Sequence, residues 1–376
     1  MPIKPLDFYN LLSENNIDFF TGVPDSLLKE FCFCVDENKS KEKHIIAANE
    51  GNAIALAAGY YLATNKVGLV YMQNSGLGNA INPLLSLCDP DVYSIPMIIM
   101  IGWRGEPGTV DEPQHLKQGK VQTDLLKAMG IPYEVISKQE QDIEKKVTAA
   151  INKAVNDNTP SVILVKKDTF DKYNSARPSP NETSTTREEF LDVILAQLSD
   201  DDIVVSTTGK TSREIFEIRE RNNIPHCRDF LAVGSMGHCS SIAMGIAVAK
   251  PNRKIICIDG DGSLIMHMGS LTTVGKLKPK NFYHILINNN VHESVGGQET
   301  SIKFVNLPEI VKANGYQHIY SINSKEQLAD VLEDFLLNKG PNFLEIKVEP
   351  GSRTDLGRPT VRLVDSKKAF MRFLSK

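Results

Sequence analysis

An acidic residue followed by glycine closes an apolar run in the second half of the chain. Lys254-Ile-Ile-Cys-Ile258 leads through Asp259 into Gly260-Asp261-Gly262-Ser263. The carboxyl end of a parallel strand is where α/β sheets bind ligands. Gly262 and Ser263 would open the next helix, whose free backbone N–H groups favour a phosphate. Asp261 could hold a hard divalent cation that bridges to that phosphate. Asn289 lies 28 residues after Asp261, inside Asn288-Asn289-Asn290, and again directly follows an apolar run. Two neighbouring strand ends would then offer a carboxylate and an amide oxygen to one ion. Gly, Asp and Asn are also the commonest turn residues, so the first site alone would read as a turn. The second site at this spacing favours chemistry.

A second carboxylate stands at another strand-to-helix passage. In Ile45-Ile-Ala-Ala-Asn-Glu50-Gly-Asn-Ala-Ile-Ala-Leu-Ala-Ala-Gly59, Glu50 opens a helix of small residues. A first-turn glutamate can simply complement the helix dipole. A carboxyl in an apolar cavity would instead have a raised pKa and could share a proton with a ring nitrogen. Nucleotide-binding patterns fail on spacing. Gly209-Lys210-Thr211 resembles the end of a P-loop, but Val204 stands where its first glycine belongs. Gly260-x-Gly262 is followed by Ile265 and Gly76-x-Gly78 by Ile81, so neither completes a dinucleotide fingerprint.

The elements that must carry these residues alternate regularly. Strands are expected at Asp18–Gly22, His44–Ala47, Gly68–Gln73, Met97–Gly102 and Ser161–Lys166, then at Ile203–Ser206, Lys254–Asp259, Tyr283–Asn288, Tyr316–Ser321 and Asn342–Val348. Helical patterns lie between them: Leu6–Glu14, Ser26–Val35, Asn52–Thr64, Asn79–Cys88, Val121–Met129 and Gln141–Asn156 in the first half. In the second half they are Glu188–Leu198, Arg213–Arg221, Ser240–Ala249, Gly269–Lys276, Leu307–Asn314 and Lys325–Asn338. Such alternation means parallel sheets covered on both faces. Each half closes on an amphipathic helix, a proline and an apolar strand, at Ile151–Lys166 and Leu332–Val348. Residues 171–186, DKYNSARPSPNETSTT, have linker composition. The expected fold class is therefore α/β, with two similar parallel-sheet domains at 1–170 and 187–376.

Composition narrows the function classes. The 376 residues include 42 Lys and Arg against 46 Asp and Glu, a net charge of −4. That balance lacks the electrostatic footprint for nucleic acid or an anionic membrane surface. The longest apolar stretches, such as Pro96–Gly102, are far short of a membrane span. The N-terminal MPIKPLDFYNLLSENN lacks a signal-peptide core, so a soluble cytoplasmic protein is expected. Six cysteines are too sparse for a disulfide scaffold. Cys32-x-Cys34 and the His-Cys pairs at 226–227 and 238–239 lack zinc spacing, so buried free thiols are expected.

Taken together, Glu50 and its helix, Gly260-Asp261-Gly262-Ser263 and Asn288–Asn290 resemble the thiamine-diphosphate-dependent decarboxylases, as does Gly234-Ser235-Met236-Gly237. The resemblance covers nearly the whole chain. Within that superfamily, several segments are similar to the phosphonopyruvate decarboxylase family: Thr21-Gly-Val-Pro-Asp25-Ser26, Gly102-Trp-Arg104-Gly-Glu-Pro-Gly108 with Asp111-Glu-Pro-Gln-His115, Asn290-Val-His292-Glu293-Ser-Val-Gly-Gly-Gln298, and Gly351-Ser-Arg353-Thr-Asp-Leu-Gly-Arg358-Pro359. The sister family is sulfopyruvate decarboxylase, which often divides the two domains between chains; the fused chain and the HESVGGQ segment favour phosphonopyruvate.

The resemblance implies a pyrimidine-binding first domain, a diphosphate-binding second domain and no middle domain, since the linker is too short for one. It implies thiamine diphosphate and Mg²⁺ as cofactors and decarboxylation of 3-phosphonopyruvate to phosphonoacetaldehyde, a step of phosphonate biosynthesis. Glu50 would hydrogen-bond the pyrimidine ring and favour the imino tautomer that takes the thiazolium C2 proton. Met236 would wedge the two rings into a bent form, and carbonyls near Gly234 would accept from the exocyclic amine. Asp261, Asn289 and the Val291 carbonyl would hold the metal, with Asn288 the alternative to Asn289, while Gly262 and Ser263 serve the diphosphate. Arg104 is the first candidate clamp for the substrate's phosphonate, since a guanidinium grips such oxygens bidentately; Arg353 and Arg358 are weaker ones. His115 and Asp25 could relay a proton to the product, with His115 also facing the substrate and His292 as a second acid. The expected active unit is at least a homodimer, with the active site at the subunit interface. A non-catalytic thiamine-diphosphate-binding protein is the reading from another class. A carboligase is disfavoured by the missing middle domain and the Trp103–His115 motif.

Overall fold

The computed structural model describes residues 1–175 and 186–376. Most of the expected linker, 176–185, lies outside the described residues. The chain divides into two compact units: Met1–Pro178 with Ser294–Gln298, and Ser179–Glu293 with Glu299–Lys376.

The first unit is built on six strands: β1 (Phe20–Gly22), β2 (His44–Ile46), β3 (Leu69–Gln73), β4 (Met97–Gly102), β5 (Tyr133–Ile136) and β6 (Pro160–Val165). They form one parallel sheet in the order β2-β1-β3-β4-β6-β5. The second unit carries β7 (Ile203–Ser206), β8 (Asp229–Leu231), β9 (Ile255–Gly260), β10 (Phe282–Asn288), β11 (Ile319–Ile322) and β12 (Asn342–Lys347). Its sheet is also parallel, ordered β11-β12-β10-β9-β7-β8. Read from β8, that is the order of the first sheet strand for strand. The two units therefore share one topology, as the alternating pattern led us to expect.

Both sheets are buried on two faces, and the two-residue period of a strand sorts its side chains between them. On β3, Leu69 and Tyr71 join one apolar cluster with Phe8, Leu12 and Phe31, while Val70 and Met72 join another with Ala53, Ala57 and Leu126. On β9, Ile256 and Ile258 face Phe190 and Phe335, whereas Ile255 and Cys257 face Ala243 and Phe343. All six cysteines are free, and five of them are buried. Cys239 and Cys257 sit with sulfurs 3.6 Å apart, and the Cys239 thiol is directed at the carbonyls of Val205 and Ile258.

Two strands escaped the sequence reading, β5 and β8. Both are edge strands of three or four residues with half-buried side chains, so neither shows an apolar run. The helix expected from Val121 starts at Pro113, because its first two turns are mostly polar and exposed. A final helix, Leu363–Leu374, was also unforeseen; Phe370 is its single buried residue.

Strand order decides where a ligand can lie. In each sheet the direction of winding reverses beside the first strand, between β1 and β3 and between β7 and β9. Carboxyl ends of strands flanking such a reversal diverge and leave a crevice. Asp25 follows β1 and Gln73 ends β3; Gly209 follows β7 and Asp261 follows β9.

Candidate active site

In the first unit, Glu50 is the first residue of the helix Glu50–Thr64, which Asn49 caps by accepting from the Asn52 N–H. It is also buried, with 5% exposure, so it serves more than the helix dipole. Burial raises its carboxyl above the ordinary range, against the opposing hydrogen bond from Asn79 Nδ2 to Oε2 at 2.7 Å. Room for this carboxyl depends on Gly76. A Cβ there would lie 2.2 Å from Glu50 Oε1. Gly76→Ala is therefore expected to fold, yet to lose most turnover by displacing Glu50. A circular dichroism spectrum like the parent's, with unchanged turnover, would contradict that.

Asp25 is fully buried beside the end of β3: Oδ1 accepts from Gln73 Nε2 at 2.8 Å and Oδ2 from the Leu27 N–H at 3.1 Å. Burial pushes its carboxyl up, while the Gln73 hydrogen bond and the Arg104 charge pull the other way. Gly102 must be glycine, since a Cβ there would lie 1.9 Å from Asp25 Oδ2. Arg104 is less free than a clamp requires. Nε and Nη2 both donate to Asp111, and Nη1 donates to Ser26 Oγ at 2.9 Å. His115 lies in the first turn of the helix Pro113–Ala128, and its buried Nδ1 has no hydrogen-bond partner. Burial and the Arg104 charge lower its pKa, so its neutral form is favoured.

In the second unit the register pairs Ile287 with Gly260, so the next residues, Asn288 and Asp261, emerge side by side from β10 and β9. Asp261 is 5% exposed and accepts from Thr300 Oγ1 at 2.7 Å. Burial pushes its carboxyl up to about 6, against that hydrogen bond. Asn288 is committed to the fold: Nδ2 donates to Glu345 Oε1 at 2.8 Å and Oδ1 accepts from the Asn290 N–H. Asn289 donates from Nδ2 to Glu293 Oε2 at 2.8 Å, and its Oδ1 accepts from the Val291 N–H at 3.1 Å. Such an oxygen keeps a second lone pair. Asn288 and Asn289 are engaged alike, each donating from Nδ2 to a glutamate and accepting one backbone N–H at Oδ1, so each keeps an oxygen lone pair for a cation.

Met236 stands between two left-handed residues, Ser235 (φ 55°) and Gly237 (φ 87°), and the Gly237 N–H donates to Ser263 Oγ at 3.1 Å. A Cβ on Gly262 would come within 2.9 Å of His292 Nδ1 and 3.1 Å of Met236 Cε. Met236, Gly262, Ser263 and His292 are thus brought together, leaving a cradle that any larger residue at 262 would fill. Gly234 lies two residues before Met236 and is half-buried. Burial pushes His292 down to about 4, so at neutral pH it is an uncharged imidazole with one N–H to give. Arg353 is tied to Glu188, Glu217 and Asp355 in the surface of the same unit. Hard oxygen donors at adjacent strand ends, beside a glycine cradle at a helix start, suit a divalent cation and a phosphate group.

Three participants were missed. Gly76 ends the 3-10 turn Asn74–Gly76 directly after β3 and Asn79 lies in the helix Leu77–Pro83 that continues it, a segment that the dinucleotide pattern tests for the wrong property. Position after an apolar strand, the same signal that marks Asp261, would have found them. Thr300, the partner of Asp261, has no local signature.

Residues 7–128 match the thiamine pyrophosphate enzyme N-terminal TPP-binding domain, and residues 207–346 match the corresponding C-terminal TPP-binding domain. A phosphonopyruvate decarboxylase of Streptomyces viridochromogenes is 34% identical over 369 residues, covering 94% of this chain and 90% of its own. A sulfopyruvate decarboxylase of Methanosarcina acetivorans is 29% identical, covering 91% of this chain and 90% of its own. The sulfopyruvate decarboxylase subunit beta of Methanococcus maripaludis is 36% identical, over 51% of this chain and 98% of its own. With two TPP-binding units of one topology and no middle domain between them, the chain belongs to the thiamine pyrophosphate enzymes, among the decarboxylases of the phosphonopyruvate and sulfopyruvate type, and is a carbon–carbon lyase that uses thiamine diphosphate.

Proposed function

We propose that the substrate is 3-phosphonopyruvate, converted with Mg²⁺ to phosphonoacetaldehyde and CO₂. The observation that carries this choice is the 34% identity to a phosphonopyruvate decarboxylase along 94% of a single chain. The product keeps its carbon–phosphorus bond, which suits a role in phosphonate biosynthesis. Thiamine diphosphate, when bound, supplies the electron sink for loss of CO₂. The chain's own residues do the rest. Glu50, buried and oriented by Asn79, holds or releases one proton at a ring nitrogen. Asp261, Asn289 and the Val291 carbonyl would hold Mg²⁺, while Gly262 and Ser263 would leave room for the diphosphate. Met236 would pack against the bound cofactor, and carbonyls near Gly234 would accept from its exocyclic amine.

Substrate recognition needs positive charge, and Arg104 offers the two N–H groups that Asp111 and Ser26 leave free. Asp111 holds the guanidinium in place, so the clamp is rigid rather than mobile. Asp25, His115 and His292 are the proton donors available to the product. His115 and His292 favour the neutral imidazole, so each would donate as one, and burial moves the Asp25 carboxyl toward its protonated form. The domains are assigned as pyrimidine-binding 1–170 and diphosphate-binding 187–376. The active unit is at least a homodimer, in keeping with a relative that is named as a subunit. No helix of the described residues is long and apolar enough to cross a membrane, and we place the protein in the cytoplasm.

Purified protein with thiamine diphosphate and Mg²⁺ should release CO₂ from phosphonopyruvate faster than from sulfopyruvate or pyruvate. Release from sulfopyruvate alone would move it to the sister activity. No release from any of them would make it a binding protein, a reading that the buried Glu50 and its making-room glycine disfavour.

A further inference from the structure

Glu293 is a point of convergence that the reaction outlined above does not use. Its Oε2 accepts from Asn289 Nδ2 at 2.8 Å and from Arg187 Nη1 at 2.7 Å, and its Oε1 accepts from Lys210 Nζ at 2.8 Å. The cations come from two other places in the unit: Arg187 opens the helix Arg187–Gln197, and Lys210 opens the helix after β7. Arg187 is itself buried and fixed by a two-point contact with Glu214.

We propose that Glu293 is a positioning residue that selects which end of the Asn289 amide faces the divalent cation. This rests on the reading of Asn289 as a ligand to that cation. The torsion that turns an amide is soft and nearly two-fold, so nothing in the side chain itself separates its oxygen from its NH₂. A cation distinguishes them absolutely, because only the oxygen has lone pairs to give. An acceptor-only carboxylate at Glu293 demands the NH₂ end, and the Val291 N–H demands the oxygen end. The oxygen of Asn289 is then preset for the metal before the metal arrives. Partners that orient a metal ligand in this way are commonly worth 10- to 100-fold in affinity.

Glu293→Gln tests the idea, because the two cations would claim its one remaining oxygen and leave its NH₂ to face Asn289. Mg²⁺ titrations of thiamine diphosphate binding, followed by calorimetry on the full chain, should show about 10- to 100-fold weaker Mg²⁺ dependence. In an Asn289→Asp background both ends are oxygen, so Glu293→Gln should cost nothing more. Equal losses in both backgrounds, or parent-like Mg²⁺ dependence in Glu293→Gln, would overturn the proposal. Should Glu293→Gln not fold, Glu293→Ala, which leaves the Asn289 NH₂ without this acceptor, should still weaken the Mg²⁺ dependence in the same direction, and no change there would also overturn it. Asn289→Ala separates the two levels. If it retains the parent's Mg²⁺ dependence, the ligand assignment itself fails; if it loses that dependence while Glu293→Gln does not, only the positioning role fails.

Discussion

Glu50→Ala is expected to bind thiamine diphosphate nearly as the parent does and to lose roughly 10²- to 10⁴-fold in turnover, the range a positioned proton-transfer group supplies. Binding survives because the residues proposed to hold the cation and the diphosphate, Asp261, Asn289, Gly262 and Ser263, belong to the second unit. Turnover falls because the carboxyl that Asn79 orients is removed, and water in its place would be neither oriented nor shielded. Single-turnover CO₂ release alongside calorimetric affinity checks both halves, and full turnover in this variant would remove Glu50 from the chemistry. A conservative change should show a second effect. Burial raises the Glu50 carboxyl, so the folded state prefers the protonated form more than the unfolded chain does. Below the unfolded value, near 4.5, both states are protonated and the group contributes nothing to the balance. As pH rises above it, the unfolded chain ionises first and folding is progressively disfavoured. Glu50→Gln should accordingly raise the melting temperature of the cofactor-free protein at pH 7–8, with the gain vanishing near pH 4. Catalytic residues of this kind carry a stability cost in exchange for function.

Asp261→Ala is expected to abolish cofactor binding that depends on Mg²⁺. The carboxylate is the single negative charge among the proposed ligands, the others being an amide and a backbone carbonyl. Its loss should exceed the roughly 10- to 100-fold cost of removing a mere orienting partner. The fold should tolerate the change, because the buried Asp261 is above its ordinary pKa and its partner Thr300 can hydrogen-bond water in the space left behind. Calorimetric titration of thiamine diphosphate at saturating Mg²⁺ reads the loss directly. An affinity equal to the parent's would mean that the strand end after β9 binds something else.

The central strands were readable because they are buried on both faces, and continuous apolar runs such as Met97–Gly102 and Ile203–Ser206 have no other explanation. The edge strands β5 and β8 were not, since half-buried residues carry no such run. Asp261 and the Asn288–Asn290 run could be placed from sequence because each ends or follows a strand, and the pairing of β9 with β10 brings those strand ends together. Contacts that depend on which loops meet were invisible. Arg104 reads as a free anion clamp until Asp111, seven residues on, is seen to occupy its fork. Gly76 reads as half of a failed phosphate motif until its missing Cβ is seen to make space for Glu50, 26 residues away. Substrate identity lies deeper still, because phosphonate and sulfonate present similar anionic oxygens to the same guanidinium.

The most direct test sets those two anions against each other. Limiting protein with thiamine diphosphate and Mg²⁺ would be given an equimolar mixture of phosphonopyruvate and sulfopyruvate, and the two aldehydes followed by NMR. Their initial ratio equals the ratio of kcat/KM values. Phosphonoacetaldehyde in clear excess is the expected result, and an excess of sulfoacetaldehyde would contradict the proposed substrate.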